Sequence, residues 1–107
     1  MKKVGMTWRV DPDKWDGYKA IHLNPWPELL QTFSEYGVHN FNCFAFGTQV
    51  FAYLEIEGDD VYEALGKVAQ TEVKKKWDAE VTVDVLPEAE NGSGVQFMEL
   101  ERIFYSP

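Results

Sequence analysis

Residues 38–57, VHNFNCFAFGTQVFAYLEIE, contain two strand-like segments separated by a single turn. Residues 38–46 are rich in aromatic side chains with few helix formers, and residues 50–57 combine aromatic and β-branched side chains. Residues 47–49 begin with glycine, and a short glycine-containing connection is typical of a hairpin. The stretch therefore predicts two antiparallel strands in the middle of the chain.

The segment before this hairpin predicts one strand and two helices. Apolar and polar residues alternate over 3–10, which is the period of a strand with one buried face. The Asp-Pro pair at 11–12 is typical of a helix start, because aspartate accepts from free N–H groups and proline lacks one. The PWP sequence at 25–27 ends this helix and opens a second over 28–36, with Gly37 as its left-handed cap.

The segment after the hairpin predicts a helical region, a loop and a last strand. One of two consecutive aspartates caps a helical region over 61–83, which we expect to bend or break near residues 70–71. Residues 87–94 hold a proline, two glycines and an asparagine, a composition typical of a loop. Residues 95–105 carry apolar side chains on both parities, which predicts a strand with both faces partly covered.

The resulting order, β-α-β-β-α-β, is typical of an α+β domain of the ferredoxin-like class. A chain of 107 residues is the usual size of one domain, so we expect a single domain over 1–107. Its helices would cover one face of a four-stranded antiparallel sheet. In the last three strands, apolar residues occur at alternate positions of both sets, so apolar side chains lie on both faces of the sheet. The face without helices then needs a covering layer, for which a second copy in a twofold dimer is the simplest candidate. We therefore expect a homodimer through the sheet face, an α/β-barrel-like assembly.

Composition argues against several classes of partner. Ten basic and eighteen acidic residues give a net charge of -8, which disfavours binding to nucleic acid or to an anionic membrane surface. The N-terminal apolar segment is interrupted by Arg9 and is too short for a secretion signal, so we expect a cytoplasmic protein. Cys43 is the single cysteine, so it offers neither an intrachain disulfide nor a thiolate cluster for zinc.

Two histidines are the natural candidates for proton transfer near neutral pH. His22 lies one helical turn after Tyr18, on the stripe shared by Trp15 and Ile21. A lone histidine on an inner helix face is more often a hydrogen-bonded core residue, and a structural role for the tyrosine is at least as common as a ligand contact. His39 reads as a strand-end residue, and two histidines without a carboxylate at motif spacing make a poor metal site.

The segment TEVKKKWD, residues 71–78, is the only basic run in this acidic chain. Such a run on a helix is usually a solvated face, and Trp77 alone fits a core position. The run could instead face an anionic ligand or an acidic partner. The sequence leaves both interpretations open.

Together these blocks resemble the L-rhamnose mutarotase family, whose members are dimeric ferredoxin-like enzymes that interconvert the anomers of a 6-deoxy sugar. The resemblance spans nearly the whole chain. It rests on five blocks in order, VDPDKWDGYKAIHLNPWPEL, GVHN, FAYLEIE, TEVKKKWD and ELERIFYSP. It implies an isomerase without a cofactor or metal, acting on L-rhamnose or a related aldose such as L-fucose.

By position, the resemblance makes His22 the proton donor and Tyr18 a substrate-binding residue. Phe41 stands where the family has a substrate-contacting tyrosine, so the hydroxyl is missing. Trp77 keeps the first of two paired tryptophans, and Asp78 replaces the second. These departures leave the proton chemistry in place and leave the identity of the sugar open.

Two other functions share this architecture or this chemistry. The same dimeric fold serves cofactor-free monooxygenases and haem-handling proteins, and a fold alone does not determine function. A non-catalytic sugar-binding module is the other alternative, with Phe41 and Asp78 as marks of lost activity.

Overall fold

The computed structural model describes residues 1–87 and 96–107. Its sheet has four antiparallel strands in the order β2-β3-β1-β4, namely β1 Lys2–Arg9, β2 Val38–Phe46, β3 Gln49–Ile56 and β4 Met98–Leu100. The four helices are α1 Trp15–Leu23, α2 Pro27–Glu35, α3 Val61–Ala69 and α4 Glu72–Glu80, and short 3₁₀ turns lie at Pro12–Lys14 and Thr82–Asp84. The element order and the central hairpin are as predicted. The predicted loop lies almost wholly outside the described residues.

Side chains at the helix starts explain where the helices begin. Asp11 accepts a hydrogen bond from the backbone N–H of Asp13, at the turn that leads into α1. Asp60 accepts from the first N–H groups of α3, and Thr71 accepts from the N–H of Lys74 at the start of α4. Each cap satisfies a donor that the helix itself leaves free. The predicted break near residues 70–71 is confirmed, because Thr71 caps a new helix there.

A β-bulge in β2 changes which side chains face the helices. The strand pairs regularly with β3 except between His39 and Asn42, where the register shifts. Asn40 adopts a φ of 48° there, in the left-handed region that asparagine tolerates. Because side chains alternate along a strand, the extra residue moves those after it to the opposite face. Phe41 consequently packs against the core and contacts the ring of Phe33 on α2.

The core lies between one face of the sheet and the helices. Its buried members on the sheet include Met6, Leu54 and Ile56, and α3 and α4 contribute Val68 and Trp77. The placement of the helices on one face agrees with the prediction. Within the described ranges, no helix is long and apolar enough to cross a membrane.

The last strand is shorter than the sequence predicts. Only Met98–Leu100 forms β4, at the edge of the sheet beside β1, and residues 101–107 follow without regular structure. Ile103 and Phe104 are exposed, and the ring of Tyr105 lies against the ammonium of Lys3. The predicted last strand is therefore confirmed at 98–100 and was wrong for 101–105, because the apolar residues beyond β4 have no cover within one chain. An edge strand gains stability only where a layer covers its side chains.

Candidate active site

α1 holds Tyr18 and His22 in direct contact, one turn apart. The Nδ1 of His22 lies 2.7 Å from the backbone oxygen of Tyr18, and the two rings stack with centroids 4.1 Å apart. A carbonyl oxygen can only accept, so Nδ1 carries the hydrogen of this bond. In residues 1–87 and 96–107 no group bonds to Nε2. The imidazole is therefore fixed through one nitrogen and can exchange a proton through the other.

Trp8 on β1 holds the hydroxyl end of Tyr18 in place. Its indole Nε1 donates a hydrogen bond of 2.8 Å to the hydroxyl oxygen of Tyr18, which is only 5% exposed. Burial raises the pKa of the Tyr18 phenol to about 12, so it stays protonated at physiological pH. The sequence analysis did not identify Trp8 as part of the site. The sequence did hold a clue: the alternation of β1 places Trp8 on the buried face. A buried indole N–H normally requires an acceptor, so a polar partner for Trp8 could have been expected.

A packed pair of tryptophans meets His22 through one of its two rings. The ring of Trp77 on α4 meets the imidazole edge to face, with centroids 5.1 Å apart, and Trp26 meets Trp77 at the same distance. We refer to Trp8, Tyr18, His22, Trp26 and Trp77 as the aromatic cluster. Trp26, between the two prolines that end α1, was not predicted as a site residue. Its position shows that the break between α1 and α2 brings an aromatic ring to the site.

The surroundings of His22 favour its neutral form. Burial lowers the pKa of the imidazole from its usual value of 6.5, and the positive charge of Lys74 lowers it further. The hydrogen bond to the Tyr18 oxygen acts in the opposite direction but is the smaller effect. The ring is thus neutral for most of the time at pH 7, with its lone pair on Nε2.

The two remaining candidates lie at different places. Asp78 follows Trp77 on α4, and its carboxylate accepts hydrogen bonds from Lys74 and from the hydroxyl of Thr82. Phe41 is half-buried, and the ring contact that the structure gives it is with α2. The structure therefore brings Tyr18, His22 and Trp77 together, with Asp78 next to them along α4.

A model of the L-rhamnose mutarotase family matches residues 3–106. The chain belongs to the L-rhamnose mutarotase family. An L-rhamnose mutarotase from Tolumonas auensis is 39% identical over 98 residues, which cover 90% of this chain and 89% of that protein. The resemblance seen in the sequence is thereby confirmed.

Solved structures agree with this assignment. The crystal structure of an L-rhamnose mutarotase from Formosa agariphila superposes with a TM-score of 0.73 at 25% identity, over the full length of both chains. The tetracenomycin F2 cyclase of Streptomyces glaucescens, a type II polyketide cyclase, superposes with a TM-score of 0.62 at 20% identity, also over both full lengths. This second similarity shows a shared fold only. The predicted ferredoxin-like α+β fold of the single chain is confirmed, and the architecture is not confined to mutarotases.

The aromatic cluster does not line either of two surface clefts of this mutarotase family member. A cleft of about 720 Å³ lies between α1 and the end of α4, where Asp13, Glu80 and Asp84 are among its lining residues. None of the five candidate residues lines it. A second cleft of about 260 Å³ includes His39 and Phe41. We place the candidate active site at the cluster because it holds a free imidazole nitrogen, which proton transfer requires.

Proposed function

We propose that this protein interconverts the anomers of L-rhamnose or a related aldose such as L-fucose, with His22 as proton donor. Membership of the L-rhamnose mutarotase family supports the reaction. The observation that carries the assignment to His22 is its geometry, because Nδ1 is bonded to the Tyr18 oxygen and Nε2 has no partner among the described residues. The site is thus arranged for transfer through Nε2.

Mutarotation needs only proton transfers and one reversible bond cleavage. The anomeric hydroxyl loses its proton to water while Nε2–H of protonated His22 gives a proton to the ring oxygen. The bond between C1 and the ring oxygen breaks, C1 becomes a carbonyl, and rotation before reclosure gives the other anomer. His22 recovers its proton on closure. One well-placed acid contributes roughly 10²- to 10⁴-fold, which is substantial for a reaction that already occurs slowly in water.

The other candidate residues have distinct proposed roles. Tyr18 and Trp77 are only 5% and 6% exposed, so they act mainly by fixing the imidazole, and a sugar would meet only their edges. Phe41 lies outside the aromatic cluster, and its proposed role is an apolar contact to the sugar without a hydroxyl. Asp78 supplies a carboxylate for sugar hydroxyl groups. Together these contacts would position the sugar so that its ring oxygen lies against Nε2 of His22.

Anomer exchange measured by NMR tests the proposal. Saturation transfer between the anomeric signals of L-rhamnose and of L-fucose should increase in proportion to the concentration of added protein. Heat-denatured protein serves as the control. Sugar binding by calorimetry without faster exchange would instead indicate a non-catalytic module. Binding of apolar ligands or a Soret shift with haem, with no response to sugars, would support the monooxygenase-like or haem-handling alternative.

We also propose that two copies pair through the open face of the sheet. Phe44 and Phe51 are cross-strand partners on the face away from the helices, and Phe46 beside them is 84% exposed. A contiguous apolar surface of this kind is typical of an interface. Light scattering should give the mass of a dimer, and Phe46→Glu should shift it to a monomer while the exposed Val83→Glu does not. A monomeric wild-type protein would contradict the pairing.

We further propose that residues 1–107 act as one domain in the cytoplasm. One connected core joins the sheet to the helices within the described residues, which supports the single domain. The location is proposed from the net charge of -8, which disfavours an anionic membrane surface. A fluorescent fusion in bacterial cells would test it, and a signal at the cell envelope would contradict it.

A further inference from the structure

A group of three polar side chains lies near Trp77 of the aromatic cluster, two of them on α4 and the third in the 3₁₀ turn that follows it. The carboxylate of Asp78 accepts from the ammonium of Lys74, and its Oδ1 also accepts from the Thr82 hydroxyl at 2.5 Å. The side chains of Lys74 and Asp78 are only 19% and 29% exposed. We call Lys74, Asp78 and Thr82 the polar triad. Its members are held in place yet remain reachable from solvent.

The helical spacing places the polar triad at the edge of the aromatic cluster. Lys74, Trp77 and Asp78 occupy positions three and four apart and so share one side of α4. Trp77 contacts the imidazole of His22 edge to face, and the charge of Lys74 is close enough to affect that ring. A sugar with its ring oxygen at Nε2 of His22 would therefore have other hydroxyl groups within reach of the triad.

The polar triad retains hydrogen-bonding capacity that the fold does not use. An ammonium has three N–H groups, and Asp78 is the one acceptor that the described part of the chain gives Lys74. Both bonds to Asp78 use Oδ1, and within the same ranges Oδ2 has no partner. An N–H donor and a carboxylate oxygen therefore stand side by side. This pair complements two neighbouring hydroxyl groups, one accepting from the ammonium and one donating to the carboxylate.

We propose that Lys74 and Asp78 bind two neighbouring hydroxyl groups of the aldose and thereby determine which aldoses the site accepts. Thr82 acts as a positioning residue for Asp78. The inference rests on the proposed function and extends it to a substrate class, aldoses with an intact vicinal diol away from C1. A polar site of this kind discriminates strongly against analogues without the hydroxyl, because its own groups are then left unpaired.

A panel of deoxy sugars tests the contact. Wild-type exchange is measured on L-rhamnose and on its 2-, 3- and 4-deoxy analogues, with KM and kcat separated. The loss of one hydrogen bond to a charged group should raise KM about 10- to 100-fold for the analogues that lack a member of the diol. Lys74→Met and Asp78→Asn should raise KM for L-rhamnose similarly and remove the difference between L-rhamnose and those analogues.

Two further variants separate this role from a structural one. Lys75→Met changes an exposed lysine of the same helix and should leave every KM unchanged. Thr82→Val should weaken discrimination, and Thr82→Ser should restore it. If Lys74→Met and Asp78→Asn shift all sugars by one common factor, or shift none, the diol contact is wrong.

Binding measurements distinguish this failure from failure of the proposed function. Titration of the same sugars against tryptophan fluorescence reports binding without catalysis, since Trp26 and Trp77 lie in the site. Binding with the predicted dependence on the diol, but without faster exchange, would support the contact and contradict the mutarotase. No binding of any sugar would overturn the contact as well.

Discussion

The two histidines of this chain use opposite ring nitrogens in different surroundings. His22 is half-buried among aromatic rings, and its Nδ1 is bonded to a backbone oxygen one turn earlier. His39 is near the start of β2, and its Nε2 lies 2.6 Å from the carboxylate of Glu57. The first arrangement leaves Nε2 for a substrate, whereas the second commits Nε2 to another side chain. Residue type alone therefore does not identify a catalytic histidine; the partner of each nitrogen does.

Replacement of each histidine by alanine should give the largest contrast. His22→Ala removes the only proposed proton donor and should slow catalysed anomer exchange by about 10²- to 10⁴-fold. The same change at His39 should leave exchange within about twofold, because that ring transfers no proton in the proposed mechanism. NMR saturation transfer on L-rhamnose measures both variants. Equal rates for His22→Ala and wild type would remove His22 from the mechanism.

Loss of Trp77, which packs against His22, should have the largest effect on stability among the variants considered. Trp77 is buried and contacts both His22 and Trp26, so Trp77→Ala should destabilise the protein by about 3–5 kcal/mol. Urea unfolding measures the change. Trp77→Phe retains an aromatic ring and should recover much of the lost stability. A small effect of Trp77→Ala would show that Trp77 contributes little to the stability of the fold around His22.

The sequence predicted much of the fold but only part of the site. Local periodicity placed Tyr18 and His22 one turn apart, and helix starts followed from their capping residues. Periodicity did not distinguish a core histidine from a catalytic one, and the family resemblance made that assignment. Trp8 reaches Tyr18 only because α1 folds back over the sheet, and such a tertiary contact has no local signal in the sequence.

The wrong and missing predictions have related physical causes. The bulge at Asn40 depends on pairing with β3, so the sequence of β2 alone did not show that Phe41 would face the helices. The strand over 95–105 was predicted from apolar parity, but parity does not show whether a covering layer exists within the same chain. Both cases depend on tertiary or quaternary burial rather than on local preference.

Removal of the Tyr18 hydroxyl tests the hydrogen bond from Trp8 that holds Tyr18, the residue against which His22 stacks. Tyr18→Phe leaves the buried indole N–H of Trp8 without its acceptor, which should lower the free energy of unfolding by about 1–3 kcal/mol. Chemical denaturation measures the loss. Tyr53→Phe removes a hydroxyl bonded to Glu55 near solvent and should change the midpoint little. An equal loss in the two variants would contradict a special role for the Trp8 bond.

The pH dependence of stability tests whether the surroundings of His22 favour its neutral form. Because the pKa of His22 is lowered from 6.5 in the folded state, the unfolded chain binds more protons below that pH. The stability contribution of this group is therefore fully present above pH 6.5 and declines as pH falls from 6.5 through the lowered pKa. Denaturation midpoints measured from pH 7.5 to 5 should show a steeper decline in wild type than in His22→Ala.

Catalysis should change in the opposite direction over the same range. Donation from Nε2 requires the protonated ring, so the catalysed exchange rate should rise as pH falls below 6.5 and level off below the lowered pKa. The uncatalysed rate is subtracted at each pH. A catalysed rate that falls with stability would indicate that neutral His22, acting as a base, is the active form.

The smallest effect should come from breaking the His39 pair. The two side chains are 30% and 62% exposed, so water screens their interaction, and exposed ion pairs typically contribute about 0.2–1 kcal/mol. A double-mutant cycle with His39→Gln and Glu57→Gln measures the coupling between them. Added salt should reduce a coupling of this size, because screening weakens exposed charges first. A coupling well above 1 kcal/mol that persists in salt would show that His39 is held as firmly as His22. The two histidines would then differ only in which ring nitrogen is free.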